Sequence, residues 1–148
     1  MKLKIKPLSP KIGKEIPLPY YATPGAAALD LHACIDKPLT IPGGSRVLVP
    51  TGIAVAIMEN HVGIVAVRSS MGIRNGITLS NGIGVIDSDY RGPIGVGLHN
   101  LNKEPYTIQP GDRIAQLMIV PVTRHEIEVV SELPESERGE GGLGSTGR

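Results

Sequence analysis

The sequence has no phenylalanine and no tryptophan, and its only aromatic residues are Tyr20, Tyr21, Tyr90 and Tyr106. Any core must therefore be aliphatic. Cys34 is the single cysteine, which excludes an intrachain disulfide. Neither sign of charge dominates: 15 Lys plus Arg against 14 Asp plus Glu leave a net charge of +1. That balance gives no general attraction to nucleic acid or to a membrane surface, so an anion would have to be held by local groups. No apolar stretch approaches the roughly 18–20 residues needed to span a bilayer, and no charged start followed by an apolar run of signal-peptide type is visible. His32, His61, His99 and His125 are scattered without ligand spacing, which with one cysteine indicates no zinc site. The expectation is a soluble cytoplasmic protein with no nucleic-acid and no membrane partner.

What is present is glycine (19), proline (13) and a periodic supply of Val, Ile, Leu and Ala between them. Strand-like runs recur about every 8–12 residues, a spacing that suits a sandwich, barrel or jelly roll. They read "LKIKPL", "AALDLHA", "LTI", "RVLVPTGIAVAIM", "HVGIVAV", "GITLS", "GIGVID", "PIGVGLHNL", "YTI", "RIAQLMIVPV" and "EIEVV". "PGG" at 42–44, "NG" at 75–76 and 81–82 and "QPGD" at 109–112 are the separating turns. Only "SSMGIRN" suits a short helix, with Ser69 or Ser70 as N-cap. The class is all-β, in one domain of 148 residues, long enough to bury roughly 68–70% of its unfolded surface. After Pro134 the composition changes to "ESERGEGGLGSTGR", charged and then glycine-rich, which reads as a mobile tail or as a strip awaiting a partner.

Several segments carry polar chemistry. The tail matches G-x-G-x-x-G over 142–147, yet no strand precedes it and the chain stops before a helix could begin, so it is not a dinucleotide fingerprint. Its unhindered backbone N–H groups, hydroxyls and flanking guanidiniums can still wrap a polyphosphate. In "VRSSMG", Arg68, Ser69 and Ser70 suit phosphate oxygens, or form an ordinary N-cap. Asp30 in "ALDL" is either a solvent-facing charge or a metal-linked carboxylate. "GDRIAQL" begins at a turn, and Asp112 or Arg113 reads as turn chemistry.

"NGIGVIDSDYRGPIGV" opens with a turn dipeptide and crowds Asp87, Asp89, Tyr90 and Arg91 into five positions. A carboxylate at a strand end can orient and deprotonate a water, and an Asn amide beside a hairpin backbone can read a base edge. A polar hairpin tip is the plainer reading of each residue. "SSM" lacks the nearby His-Asp pattern of a nucleophilic serine.

Taken in order, "PGAAALDLHA", "VRSSMG", "NGIGVIDSDYRG", "GDRIAQL" and "RGEGGLGSTG" resemble the five motifs of the trimeric dUTP pyrophosphatases (dUTPases), from about residue 20 to the C-terminus. The resemblance implies an all-β, distorted jelly-roll or β-clip subunit with at most one short helix. It implies a homotrimer with shared active sites, a core over residues 1–133 and a glycine-rich tail over 134–148. The implied reaction is Mg²⁺-dependent hydrolysis of dUTP to dUMP and pyrophosphate, which keeps uracil out of DNA and supplies dUMP for thymidylate synthesis.

Carried over by residue, Asp87 would hold the water that attacks the α-phosphorus. Tyr90 would pack beneath the deoxyribose, while Asn81 and the adjoining backbone, including Gly84, would read uracil. Arg68, Ser69 and Ser70 would contact the phosphates. Gln116 would help place phosphate or metal-bound water, and Asp30 would act on Mg²⁺ through its water shell. In the tail, Arg138 would meet the γ-phosphate, and Gly144, Ser145 and Thr146 the phosphate oxygens. Leu143 stands where the family usually carries a Phe stacked on uracil. Asp89 and Arg91 read as structural partners of the hairpin. Other readings are a dCTP deaminase, which shares the fold, and a non-catalytic trimeric nucleotide-binding module.

Overall fold

In the computed structural model, residues 2–142 are described, and their regular secondary structure is nearly all strand. Eleven strands form antiparallel pairs: β1 (Lys4–Pro7), β2 (Leu29–His32), β3 (Leu39–Ile41), β4 (Arg46–Pro50), β5 (Ile53–Ala56) and β6 (His61–Ala66) come first. They are followed by β7 (Ile77–Leu79), β8 (Gly84–Ile86), β9 (Gly95–Asn100), β10 (Tyr106–Ile108) and β11 (Arg113–Pro121). A four-stranded sheet has the order β2-β11-β6-β8 and a three-stranded one β4-β9-β7, with two-stranded ribbons β1-β5 and β10-β3. This is the distorted jelly roll expected. Among the described residues no helix is long and apolar enough to cross a membrane.

The core is aliphatic, as the missing Phe and Trp require. Val49, Ile53, Val96, Leu98, Ile108, Ile114 and Leu117 are buried in it, and β9 shows how: Val96, Leu98 and Asn100 point inward while the residues between them are more open. Asn100 is the polar exception at 0% exposure, and its amide is satisfied by donating to the carbonyls of Ile41 (3.0 Å) and Glu104 (2.8 Å).

Two expectations change on folding. "RVLVPTGIAVAIM" makes two strands, because Gly52 adopts φ +70° and turns the chain between Pro50 and Ile53. A side chain there would be strained, and its Cβ would lie 2.5 Å from Cys34 Sγ. "EIEVV" pairs with nothing: beyond β11 the chain forms no further strand up to residue 142, and Ile127 and Val129 stand 89% and 94% exposed. The short helix does form, as a π-type turn over Ser70–Arg74 preceded by Ser69.

Candidate active site

The segment expected to be a hairpin is not one: β7 pairs with β9 and β8 with β6, so the Asn81–Gly82 turn joins two sheets, and beside it lies a cavity of about 190 Å³. β8 is an edge strand, bonded to β6 alone through Gly84 opposite Val65 and Ile86 opposite Gly63. Its other edge therefore offers backbone N–H and C=O groups that no strand claims. Asn81, Gly84 and Tyr90 line the cavity, with Val96 of β9 and Leu79 of β7 as apolar wall. The turn carrying Asn81 is closed by Gly82 N–H donating to the Leu79 carbonyl (3.3 Å) and tied to β9 by Ser80 N–H donating to Gly97 (2.8 Å). Tyr90 is pinned at its far end, its hydroxyl donating to the Pro93 carbonyl (3.0 Å). Gly92 makes that pose possible, since a Cβ there would collide with the Tyr90 hydroxyl and ring.

Asp87 follows β8 directly and is exposed. It lines a separate cavity of about 350 Å³ with Asn60, His61, Ser88, Asp89 and Arg124. Asp89 shares this second cavity, and Arg91 instead donates to the backbone carbonyls of Ser88 and Tyr90.

The third group gathers around Asp30. Sheet order β2-β11-β6 puts β11 beside the strand that carries Asp30 and β6 beyond it, with Gln116 directly opposite Asp30 and also opposite Ala66. Arg68 Nε lies 3.0 Å from one Asp30 oxygen and Arg113 Nη1 3.2 Å from the other. Asp30 is thus neither solvent-facing nor idle: it is 7% exposed and clamped by two guanidiniums. Arg113 reaches it because a register shift between Arg113 and Ala115 lets Ile114 and Ala115 both turn inward and re-aims the residue before them.

Arg68 and Ser70 line a cavity of about 250 Å³ with Asn75, Tyr106, Asp112 and Arg113. Ser69 precedes the helical turn without a side-chain cap bond, so its hydroxyl is not spent as an N-cap. Gln116 donates from Nε2 to the Val67 carbonyl (3.3 Å). Arg113 is the residue the sequence reading took for turn chemistry. The available signal was Asp30 itself, because a carboxylate on an apolar strand calls for a buried cationic partner.

His32, two residues on, is 5% exposed, stacks against Tyr20 with ring centroids 6.2 Å apart, and leaves Nδ1 without a partner. Burial pushes its pKa below the ordinary imidazole value; Asp30 opposes that shift, and Arg113 and Arg68 add to it. Arg138 lies apart in an exposed turn, donating from Nε to the Gly141 carbonyl (2.8 Å). Leu143, Gly144, Ser145 and Thr146 fall outside the described residues.

Among the described residues no three His, Cys, Asp or Glu side chains converge as a metal cage. Mg²⁺ does not require one, since it usually keeps several waters and binds through one or two carboxylates plus substrate phosphates. Both Asp30 oxygens are already paired with arginine, Oδ2 accepting from Arg113 and Oδ1 in ion-pair contact with Arg68, which fits an outer role through water better than direct ligation.

The fold and site define an all-β jelly roll whose polar groups collect at strand ends and along one free strand edge. Comparison with known proteins makes this specific. The family model described as dUTPase matches residues 14–147, and the chain belongs to the dUTPase family. It is 49% identical over 147 residues to the deoxyuridine 5'-triphosphate nucleotidohydrolase of Glaesserella parasuis serovar 5, spanning 99% of this chain and 97% of that protein. The protein of the same name from Pasteurella multocida is 49% identical over 148 residues, spanning 99% and 98%. Among solved structures, a mutant dUTPase of Staphylococcus bacteriophage 80alpha with dUpNHpp superposes with a TM-score of 0.88 at 26% identity, covering 99% of both chains.

Proposed function

We propose that the protein hydrolyses dUTP to dUMP and pyrophosphate by attack of water on the α-phosphorus. The observation that carries this reading is the cavity in which Asn81, the free edge of β8 and Tyr90 meet, in a chain of the dUTPase family. A uracil edge presents two carbonyl acceptors and one N–H donor, which an Asn amide and an unclaimed strand edge can match. Cytosine reverses two of those roles and leaves buried groups unpaired, and the thymine methyl would strike the turn. Tyr90, pinned at Pro93, leaves no room for a 2'-hydroxyl. Asp87 takes the proton of the attacking water, and Arg68, Ser69, Ser70 and Gln116 hold the phosphates. Asp30 and Gln116 would hold Mg²⁺ through its water shell, where it would supply neutralisation of the charge that develops on the phosphate oxygens.

Three copies sharing their sites is the assembly we propose. In support, the groups around Tyr90, Asp87 and Arg68 line cavities with no residue in common. In further support, Ile127, Val129 and Leu133 are at least 84% exposed on an extended segment, apolar surface that needs cover. Residues 134–148 would then close over the nucleotide, with Arg138, Leu143, Gly144, Ser145 and Thr146 as the contacts.

The test is pyrophosphate release from dUTP, dCTP, dTTP and UTP with Mg²⁺ present. Selective release from dUTP is expected. Ammonia from dCTP would point to a deaminase, and tight binding of dUTP without turnover to a non-catalytic module.

A further inference from the structure

Between Ile86 and Gly95 the chain leaves the sheets, so no strand ladder fixes the loop that carries both Asp87 and Tyr90. Its far end is tied down by Ile94, which donates to the Ile53 carbonyl (2.9 Å) and accepts from Thr51, whereas around Tyr90 the bonds come from within the loop. Tyr90 N–H donates to the Asp87 carbonyl (3.2 Å), closing a turn over the residues between them. Arg91 then spends one nitrogen, Nη1, on two carbonyls, Ser88 at 2.6 Å and Tyr90 at 2.8 Å. Those carbonyls belong to the peptide planes on either side of the Asp89–Tyr90 pair. Holding both planes fixes the direction in which the Tyr90 side chain leaves the backbone, while its hydroxyl is fixed on Pro93.

Charge pairing does not account for Arg91. Among the described residues it forms no salt bridge, although Asp89 lies two positions away. It also lines a groove with Lys4, Ile5 and Lys6 of β1 and Ala54 and Val55 of β5, so the side chain borders the β1-β5 ribbon while both of its hydrogen bonds stay exposed to solvent.

We propose that Arg91 is a positioning residue that sets the Tyr90 ring and thereby the discrimination between deoxyribose and ribose. This rests on the role given to Tyr90 above. Excluding a single hydroxyl requires the ring to stay within a fraction of its own contact distance. A misplacement of about 1 Å can cost on the order of 100-fold in an oriented reaction. Loss of the clasp should therefore act on the sugar before it acts on the base or the phosphates.

The experiment compares kcat and KM for dUTP and UTP in the wild type and in Arg91→Met, Arg91→Lys and Arg91→Gln. Methionine keeps an apolar stem but no donor, whereas lysine and glutamine each keep N–H groups for a carbonyl. The dUTP-to-UTP ratio of kcat/KM is expected to fall about 10-fold or more in Arg91→Met, given the steep cost of misorientation. Lysine and glutamine should recover much of it, and added guanidinium ion at millimolar concentration should restore selectivity to Arg91→Ala. An unchanged ratio in Arg91→Met, or equal losses on dUTP and UTP, overturns the proposal. Should Arg91→Met fail to fold, Arg91→Ala decides it: a lowered ratio that guanidinium ion restores supports the proposal, and a wild-type ratio or a lowered one that guanidinium leaves unchanged overturns it. Failure of the wild type to hydrolyse dUTP selectively would instead sink the reading of Tyr90 itself.

Discussion

Asp30 and Arg68 face each other at 3.0 Å, carboxylate oxygen to guanidinium Nε, across two strand ends. Arg113 holds the second oxygen at 3.2 Å, so one carboxylate fixes two cations from β6 and β11 territory in a place where only 10% of its own side chain meets water. Two guanidiniums around one carboxylate leave a net positive charge. Asp112 lines the same cavity as Arg68, Arg113 and Ser70 and offsets that charge, its Oδ2 accepting from the Gln109 N–H at 2.7 Å, so a phosphate there would be met by local guanidinium donors and not by a net positive field.

Asp30→Asn keeps the shape but removes the charge that both arginines bond. Hydrogen bonds to charged groups contribute about 1.5–3 kcal/mol each. Arg113 is 44% exposed, so solvent screens its share and the Arg68 contact dominates. We expect a stability loss of about 1–3 kcal/mol, read as a lower urea midpoint at unchanged slope. Activity should fall further than stability does, through a higher KM for dUTP as Arg68 loses its orientation.

How the sequence anticipated this arrangement depends on the range of each interaction. Alternation along β9 and β11 is local, so the strands were legible from "PIGVGLHNL" and "RIAQLMIVPV". The break in "RVLVPTGIAVAIM" was missed because Val49 and Ile53 continue an apolar pattern across Gly52, whose positive φ only the fold reveals. "EIEVV" carries the alternation of a strand, yet alternation states a face preference and not a partner. Arg113 bonds Asp30 across 83 positions, a separation no local pattern encodes. The candidate residues Asn81, Gly84 and Tyr90 were legible as a group because they fall within ten consecutive positions, although the turn that carries Asn81 joins two sheets rather than closing a hairpin.

Asp87→Asn should abolish turnover while leaving dUTP binding nearly intact. An amide can still hold the water but cannot take its proton, and general-base contributions are typically about 10²–10⁴-fold. Single-turnover kinetics together with equilibrium binding separate the two effects. Retained turnover would move the base to another group lining the same cavity, such as His61.

Shared sites predict complementation. Asp87→Asn chains should be inactive alone and chains ending at Leu133 strongly impaired, yet the two should regain activity above either when unfolded together and refolded. Sedimentation should show a trimer at working concentration. A fully active monomer would refute the shared arrangement.

His32 supplies a pH dependence whose sign follows from its burial. Its folded-state pKa lies below the ordinary value of 6.5, so the fold prefers the neutral ring. That contribution to stability is fully present above 6.5 and is lost as pH falls through the lower folded-state value. The wild type should therefore lose stability on acidification below about pH 6.5, by more than His32→Phe does. Phenylalanine keeps a ring against Tyr20, removes the titration and removes the unpartnered Nδ1. Urea midpoints at several pH values give the comparison, and parallel curves for the two proteins would exclude His32 as the source.

Leu143 tests the tail by side-chain chemistry alone, since it lies outside the described residues. An aliphatic side chain covers a uracil face but lacks the flat surface by which an aromatic ring stacks on a base, an interaction worth about 1–3 kcal/mol in single-strand binders. If the tail is shut for less of the time, apparent affinity falls by that fraction while chemistry in the closed complex is unchanged. Leu143→Phe should thus lower KM for dUTP with a smaller effect on kcat. Removing residues 134–148 should raise KM and lower kcat together, because Arg138, Ser145 and Thr146 leave with Leu143. An unchanged or higher KM in Leu143→Phe would mean that the pocket is shaped around leucine, and that its surface, not stacking, sets how tightly the base is held.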